Sequence, residues 1–221
     1  VDVEEVPSPN LGGPIICKMR LTIIGAPNSG KGTQSKILAQ RLGLFYLSTG
    51  GYFRDYFSRN DNFHDYTREQ FESGLLCSDT TMNEFMARLF REGKVPGDNY
   101  LIDCYPRTMS QVEFFDRLVQ GKFHVIFLNV PREVSIERAR KRAEGRSDDL
   151  GNIPELRWDV FVSQTMPVIY EYRRGIIVEQ NGVGEIEKIS GELEVKVRTL
   201  IQTTIFLQAH FQILLKINAK I

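Results

Sequence analysis

Between an apolar run, Leu21 to Ile24, and a stretch of helical periodicity lies GAPNSGKGT, Gly25 to Thr33. No other feature limits the possible folds so strongly. Glycines let the backbone turn tightly enough for successive amide hydrogens to point at one phosphate group. The following helix presents its positive end there, and Lys31 brings an ammonium to the outer phosphates. The generic form of this loop has Ser or Thr directly after the lysine; here Gly32 intervenes and the hydroxyl falls at Thr33. A strand before the loop and a helix after it is the context in which such a glycine-rich turn binds phosphate.

The rest of the chain continues the alternation of short apolar runs with helical stretches, which predicts a parallel sheet covered by helices on both faces. Strands are expected at Leu21–Ile24, Leu44–Leu47, Tyr100–Asp103, His124–Asn129 and Ile176–Glu179, rich in branched or aromatic residues as doubly buried strands tend to be. Helices are expected at Lys31–Arg41, Asp79–Arg91, Ser110–Gln120, Arg132–Arg142, Pro154–Tyr172 and Glu185–Gln202, with Asp79 and Ser110 as caps. The stretch Gly50 to Gly74 carries no strand signal and reads as a small helical insertion between two strands. AEGRSDDLGNI, Ala143 to Ile153, is polar and glycine-containing between two helical patterns, as a closing segment would be.

Composition excludes several classes. Among 221 residues, 28 Lys and Arg balance 28 Asp and Glu, which argues against attachment to nucleic acid or anionic membrane through bulk positive charge. Apolar residues at 42% and charged residues at 25% suit a globular fold. Cys17, Cys77 and Cys104 are odd in number and irregularly spaced, and no C-x-x-C occurs. That fits reduced cytosolic thiols and implies no structural zinc. Residues 1–18 are acidic and rich in Pro and Gly, without the pattern of a signal peptide, and are expected to form an unstructured leader. Residues 203–221 are unusually apolar yet too short and interrupted to span a bilayer, and are expected to be an extra packing helix or an extension.

Several segments together resemble the adenylate kinase family of nucleoside monophosphate kinases: GAPNSGKGTQ (Gly25–Gln34), LSTGGYFR (Leu47–Arg54), YLIDCYPRTMSQ (Tyr100–Gln111), ERARKRAEGRSDD (Glu137–Asp149), and Arg157 with Pro167. They occur in family order across residues 20 to about 200. The resemblance implies an α/β fold of the P-loop nucleoside monophosphate kinase type, with a parallel five-stranded sheet and helices on both faces. It divides the chain into a core at 19–202, a monophosphate-binding insertion at 48–77 and a short lid at 142–153. The lid comes from the resemblance, adenylate kinases being a known case of a closing segment.

The implied reaction is reversible phosphoryl transfer from ATP to AMP giving two ADP, with Mg2+ and without zinc, in a cytoplasmic monomer. Its acceptor is already an anionic nucleophile at neutral pH, so the reaction needs charge neutralisation, in-line positioning and exclusion of water, and no general base. By the resemblance, Lys31, Arg107, Arg142, Arg146 and Arg157 supply that charge. Asn28, Ser29, Gly30, Lys31, Gly32 and Thr33 cradle the ATP phosphates, while Arg138 and the backbone of Gly184 meet its adenine. AMP falls to Thr49, Arg54 and the Leu75, Leu76 and Cys77 backbone. On its other side stand Cys104, Tyr105, Pro106, Arg107 and Gln111, with Arg146 and Arg157, which together with Arg142 clamp the transferring phosphate from the lid side. Gln111 suits adenine because an amide both donates and accepts. Asp103 corresponds to the carboxylate that holds hydrated magnesium.

The sequence departs from the family at Gly51, where Asp usually follows STG, and at Cys104, which replaces a glycine that lets the backbone approach the AMP base. Cys77 and Cys104 are expected to line one pocket. A UMP-CMP kinase and a nucleotide-binding regulator without turnover stand as alternatives. The overall neutrality hides a local concentration: Arg138, Arg140, Lys141, Arg142 and Arg146 lie close together in sequence, while acidic residues are notable in the leader and the last helix.

Overall fold

The computed structural model describes residues 18–120, 123–142, 151–172 and 177–218, with side chains beyond 204 described only at Phe206. Leucine, isoleucine and valine in the apolar runs form five parallel strands, β1 (Arg20–Gly25), β2 (Phe45–Ser48), β5 (Tyr100–Asp103), β6 (His124–Asn129) and β7 (Ile177–Asn181), in the order β2-β5-β1-β6-β7. Leu21, Ile23, Leu101, Ile102, Val125 and Ile126 are almost completely buried. This is why the runs are nearly continuous in apolar character: a sheet covered on both faces has no solvent side to alternate with.

Two apolar clusters flank the sheet. One packs Leu38, Ala39 and Leu42 of helix α1 (Lys31–Leu42) and Leu193, Val197 and Ile201 of the C-terminal helix, α9 (Ile186–Asn218), against Ile23, Leu101 and Ile126. The other joins Ile24, Ile102 and Phe127 to Met86 of α4 (Asp79–Arg91), Phe115 of α5 (Met109–Leu118) and Ile169 of α8 (Met166–Tyr172). It continues under an aromatic group, Phe53, Phe57, Phe63, Tyr66 and Phe85, with neighbouring rings about 5 to 6 Å apart.

That aromatic group is the base of the segment between β2 and α4. It holds α2 (Thr49–Phe57), a two-residue hairpin of β3 (Asn62–Phe63) and β4 (Tyr66–Thr67), and α3 (Arg68–Glu72). The hairpin departs from the expected all-helical insertion, because strands of two residues are too short to give a periodic signal. Helix starts also differ from expectation. Ser78, not Asp79, caps α4 by accepting from Thr81 N, and Thr108, not Ser110, caps α5 by accepting from Gln111 N at 3.2 Å. The expected long helix ending at Tyr172 is α7 (Ile153–Val160), a π-helical turn at Phe161–Thr165, and α8. α6 spans Arg132–Arg142, as the pattern predicts.

Parallel register brings the ends of three strands together: Ile23 and Ser48 both pair with Asp103. The loop after β1, the end of β2 and the end of β5 thus open on one crevice at the carboxyl edge of the sheet, where open α/β sheets bind ligands.

Candidate active site

Gly25 ends β1 so close to its neighbour that a Cβ would stand 2.4 Å from the carbonyl oxygen of Leu128, so only glycine fits. Asn28 and Gly30 then take left-handed conformations, φ 56° and 95°, which turn the loop into the start of α1. From α6, Ser135 donates to Pro27 O at 2.6 Å, Arg138 Nη1 donates to Ser29 O at 3.0 Å and its Nη2 to Gly182 O at 2.8 Å. Arg142 donates to the Asn28 side chain. Lys31, 8% exposed, donates to Gly25 O at 2.8 Å and Ala26 O at 2.6 Å. Burial pushes its ammonium below the ordinary lysine pKa of 10.5, with Cys104 and Asp103 opposing.

Across the crevice Asp103 is 4% exposed. Its Oδ2 accepts from Tyr46 at 3.2 Å and Ser48 at 3.4 Å, while its Oδ1 is buried and has no hydrogen-bond partner. A carboxylate oxygen left this way, beside a phosphate-binding loop, fits the water shell of a hydrated divalent cation. Among the described residues no group of three His, Cys, Asp or Glu converges as a direct metal site.

Beyond Asp103 the chain turns through Cys104 at φ 71°, a left-handed conformation that glycine adopts without strain. Thr49 donates to Asp103 O at 3.1 Å, and Arg107 Nε donates to Cys104 O at 3.1 Å. Gln111, 2% exposed, accepts from Arg107 N at 2.8 Å and donates to Asp79 Oδ1 at 2.8 Å. Burial, with Asp65 and Asp79 adding to it, pushes the Cys77 thiol up to about 12, so it stays protonated at neutral pH.

These groups share one cleft of about 750 Å³. Its lining includes the loop from Asn28 to Thr33 together with Thr49, Arg54, Leu75, Leu76, Cys77, Cys104 and Gln111. Asp103, Arg107, Arg142 and Arg157 line the same cleft. Tyr105 and Pro106 are buried behind the cleft; the Tyr105 hydroxyl donates to Asn83 at 2.8 Å and its ring packs on Phe115. Arg138 braces the loop from outside, and Gly184, φ 133°, stands on the exposed turn before α9. Arg146 and most of the segment expected to be a lid lie outside the described residues. Arg140 and Lys141 pair with Glu155 and Glu137 on the surface.

Sequence reasoning missed Tyr46 and Ser48, which hold Asp103, and Asp79, which holds Gln111. Each of these contacts joins residues at least 32 positions apart in the chain, and no local pattern marks it.

The strand-loop-helix, the buried carboxylate at the neighbouring strand end and the insertion facing both define a phosphotransferase of the nucleoside monophosphate kinase fold. Comparison with known sequences narrows this. The family model described as adenylate kinase matches residues 23–177. The chain is 34% identical over 178 residues to an adenylate kinase of Kocuria rhizophila, covering 77% of this chain and 94% of that protein. It is 34% identical over 181 residues to one of Micrococcus luteus (79% and 88%) and 31% identical over 182 residues to one of a Nocardioides species (79% and 95%). The chain belongs to the adenylate kinase family.

Proposed function

We propose that the chain catalyses reversible transfer of the terminal phosphoryl group of MgATP to AMP, giving two ADP. The observation that carries this reading is the single cleft in which the phosphate-binding loop, Asp103 and three arginines, 107, 142 and 157, face the amide of Gln111. ATP phosphates would lie on the loop amides and Lys31, whose present carbonyl partners are exchanged for phosphate oxygens. AMP would lie between the insertion at 48–77 and Gln111, with Arg54 and Arg107 on its phosphate. Arginine suits a dry cleft because its planar fork bonds two oxygens and stays charged when water leaves. The residues that approach the moving group are cations and amides, as a reaction without a general base requires.

Bound magnesium would neutralise charge on the β- and γ-phosphates. Asp103 would hold its water shell through Oδ1, with Tyr46 and Ser48 fixing the other oxygen. Residues 142–153 would act as the short lid that brings Arg146 over the cleft and excludes water. The free thiols of Cys77 and Cys104 are in keeping with the cytoplasm, and a monomer is what the resemblance implies; no described helix is long and apolar enough to cross a membrane.

A coupled assay of the full chain with MgATP and AMP, CMP, UMP or GMP tests the proposal. ADP formation fastest with AMP, and abolished by chelating magnesium, is expected. A preference for CMP or UMP would move the chain to the pyrimidine kinases, and no product with any acceptor would overturn the reading.

A further inference from the structure

Gln111 is held at both ends of its amide by groups that allow one orientation only. Its Oε1 takes the N–H of Arg107 at 2.8 Å, and its Nε2 gives a hydrogen to Asp79 Oδ1 at 2.8 Å. A backbone N–H has no lone pair to offer and a carboxylate no proton, so exchanging O and N would set donor against donor and acceptor against acceptor. Asp79 is itself tethered: Thr108 Oγ1 donates to the same Oδ1 at 2.8 Å while accepting from Gln111 N at 3.2 Å. The result is a closed set of bonds between the first residue of α4 and the cap of α5, which come from opposite sides of β5 in the chain.

We propose that Asp79 is a positioning residue that fixes the Gln111 amide in the orientation that accepts AMP and refuses a 6-oxopurine monophosphate. This rests on the reading of AMP as the acceptor. After its two anchoring bonds, Gln111 keeps one lone pair on Oε1 and one hydrogen on Nε2, and it lines the cleft. That pair complements an amino donor beside a ring-nitrogen acceptor, the edge adenine presents. Inosine monophosphate has the same purine size with that edge reversed, a carbonyl acceptor beside an N–H donor. Its rejection therefore depends on the amide being unable to turn over. Cytosine shares adenine's pattern, so it does not report on the amide.

The test is steady-state transfer by the full chain at saturating MgATP with AMP or IMP varied, for the wild type, Asp79→Ala, Asp79→Asn and Thr108→Val. In Asp79→Ala the ratio of kcat/KM for AMP to that for IMP is expected to fall about tenfold. The loss should be carried by a higher KM for AMP, with kcat and the KM for MgATP unchanged. Asp79→Asn, whose side-chain oxygen still accepts both bonds, should recover most of the ratio. Thr108→Val should lower it in the same sense by freeing the carboxylate. A ratio within about twofold of wild type in both Asp79→Ala and Thr108→Val overturns the role of Asp79, as does an Asn variant no better than Ala. A wild type that transfers nothing to AMP overturns the proposed function instead, so the two failures are distinguishable.

Discussion

Lys31 and Cys104 face each other's chemistry in the cleft, and each carries a cost that function explains. An ammonium 8% exposed and bonded only to neutral oxygens of its own loop is poorly compensated, so burial depresses its pKa. Phosphate supplies the missing charge, and binding should therefore restore the proton. The expected consequence is an alkaline limb in kcat/KM for MgATP that lies below the ordinary lysine value of 10.5 and moves upward in kcat, where nucleotide is bound. Coincident limbs in both profiles, at or above that value, would falsify the link between burial and charge. Cys104 holds φ 71° without glycine's freedom. Replacing it with glycine relieves the left-handed strain, less the entropy glycine gains when unfolded, and should stabilise the chain by about 0.5–1 kcal/mol. A higher midpoint in urea at unchanged slope is the reading to look for; a lower one means that packing of the thiol outweighs the strain.

At the scale of elements, the parts legible in the sequence are those whose cause is local. The loop, β1, β5 and β6 could be read because buried strands are uninterrupted runs of branched residues and the loop's glycines are adjacent. The hairpin at Asn62–Thr67 could not, since it offers two residues per strand, and neither could the π-helical turn at Phe161–Thr165, because FVSQT keeps a helical apolar spacing. The same limit hid Asp79 from the site: read along the chain it is an acid at a helix start, while its partners Thr108 and Gln111 stand 29 and 32 residues away. α9 continues past Gln202 without a break because nothing in IQTTIFLQ, at 201–208, stops a helix; its one glycine is Gly191. A Cβ there meets nothing within 4 Å. Gly191→Ala should thus stabilise by about 0.5–1 kcal/mol through helix propensity and reduced unfolded-chain entropy. Chemical denaturation checks this, and a destabilised variant would mean α9 is not helical there in solution.

For the whole molecule, zero net charge coexists with a cationic cleft because the cleft is made by elements brought from different parts of the chain: the loop after β1, the turn after β5, and α7 with Arg157. The insertion and α7 meet at Gly74, φ 83°, where a Cβ would lie 2.5 Å from Cγ and 3.1 Å from Cδ of Arg157. These atoms are the stem of the side chain, so they cannot move aside without moving the guanidinium that lines the cleft. Gly74→Ala should therefore misplace Arg157 and lower kcat by about ten- to a hundredfold, the scale on which a displacement of order 1 Å at a charged group affects transfer. Backbone strain alone could also slow the variant, and Gly93 separates the two causes. It has φ 67° and nothing within 4 Å of a Cβ, so Gly93→Ala carries the left-handed strain without the contact. Both variants should lose the stability that left-handed strain costs, Gly74→Ala more through its contact, and only Gly74→Ala should lose turnover. Equal turnover in the two would mean that the insertion does not rest on Arg157 during catalysis.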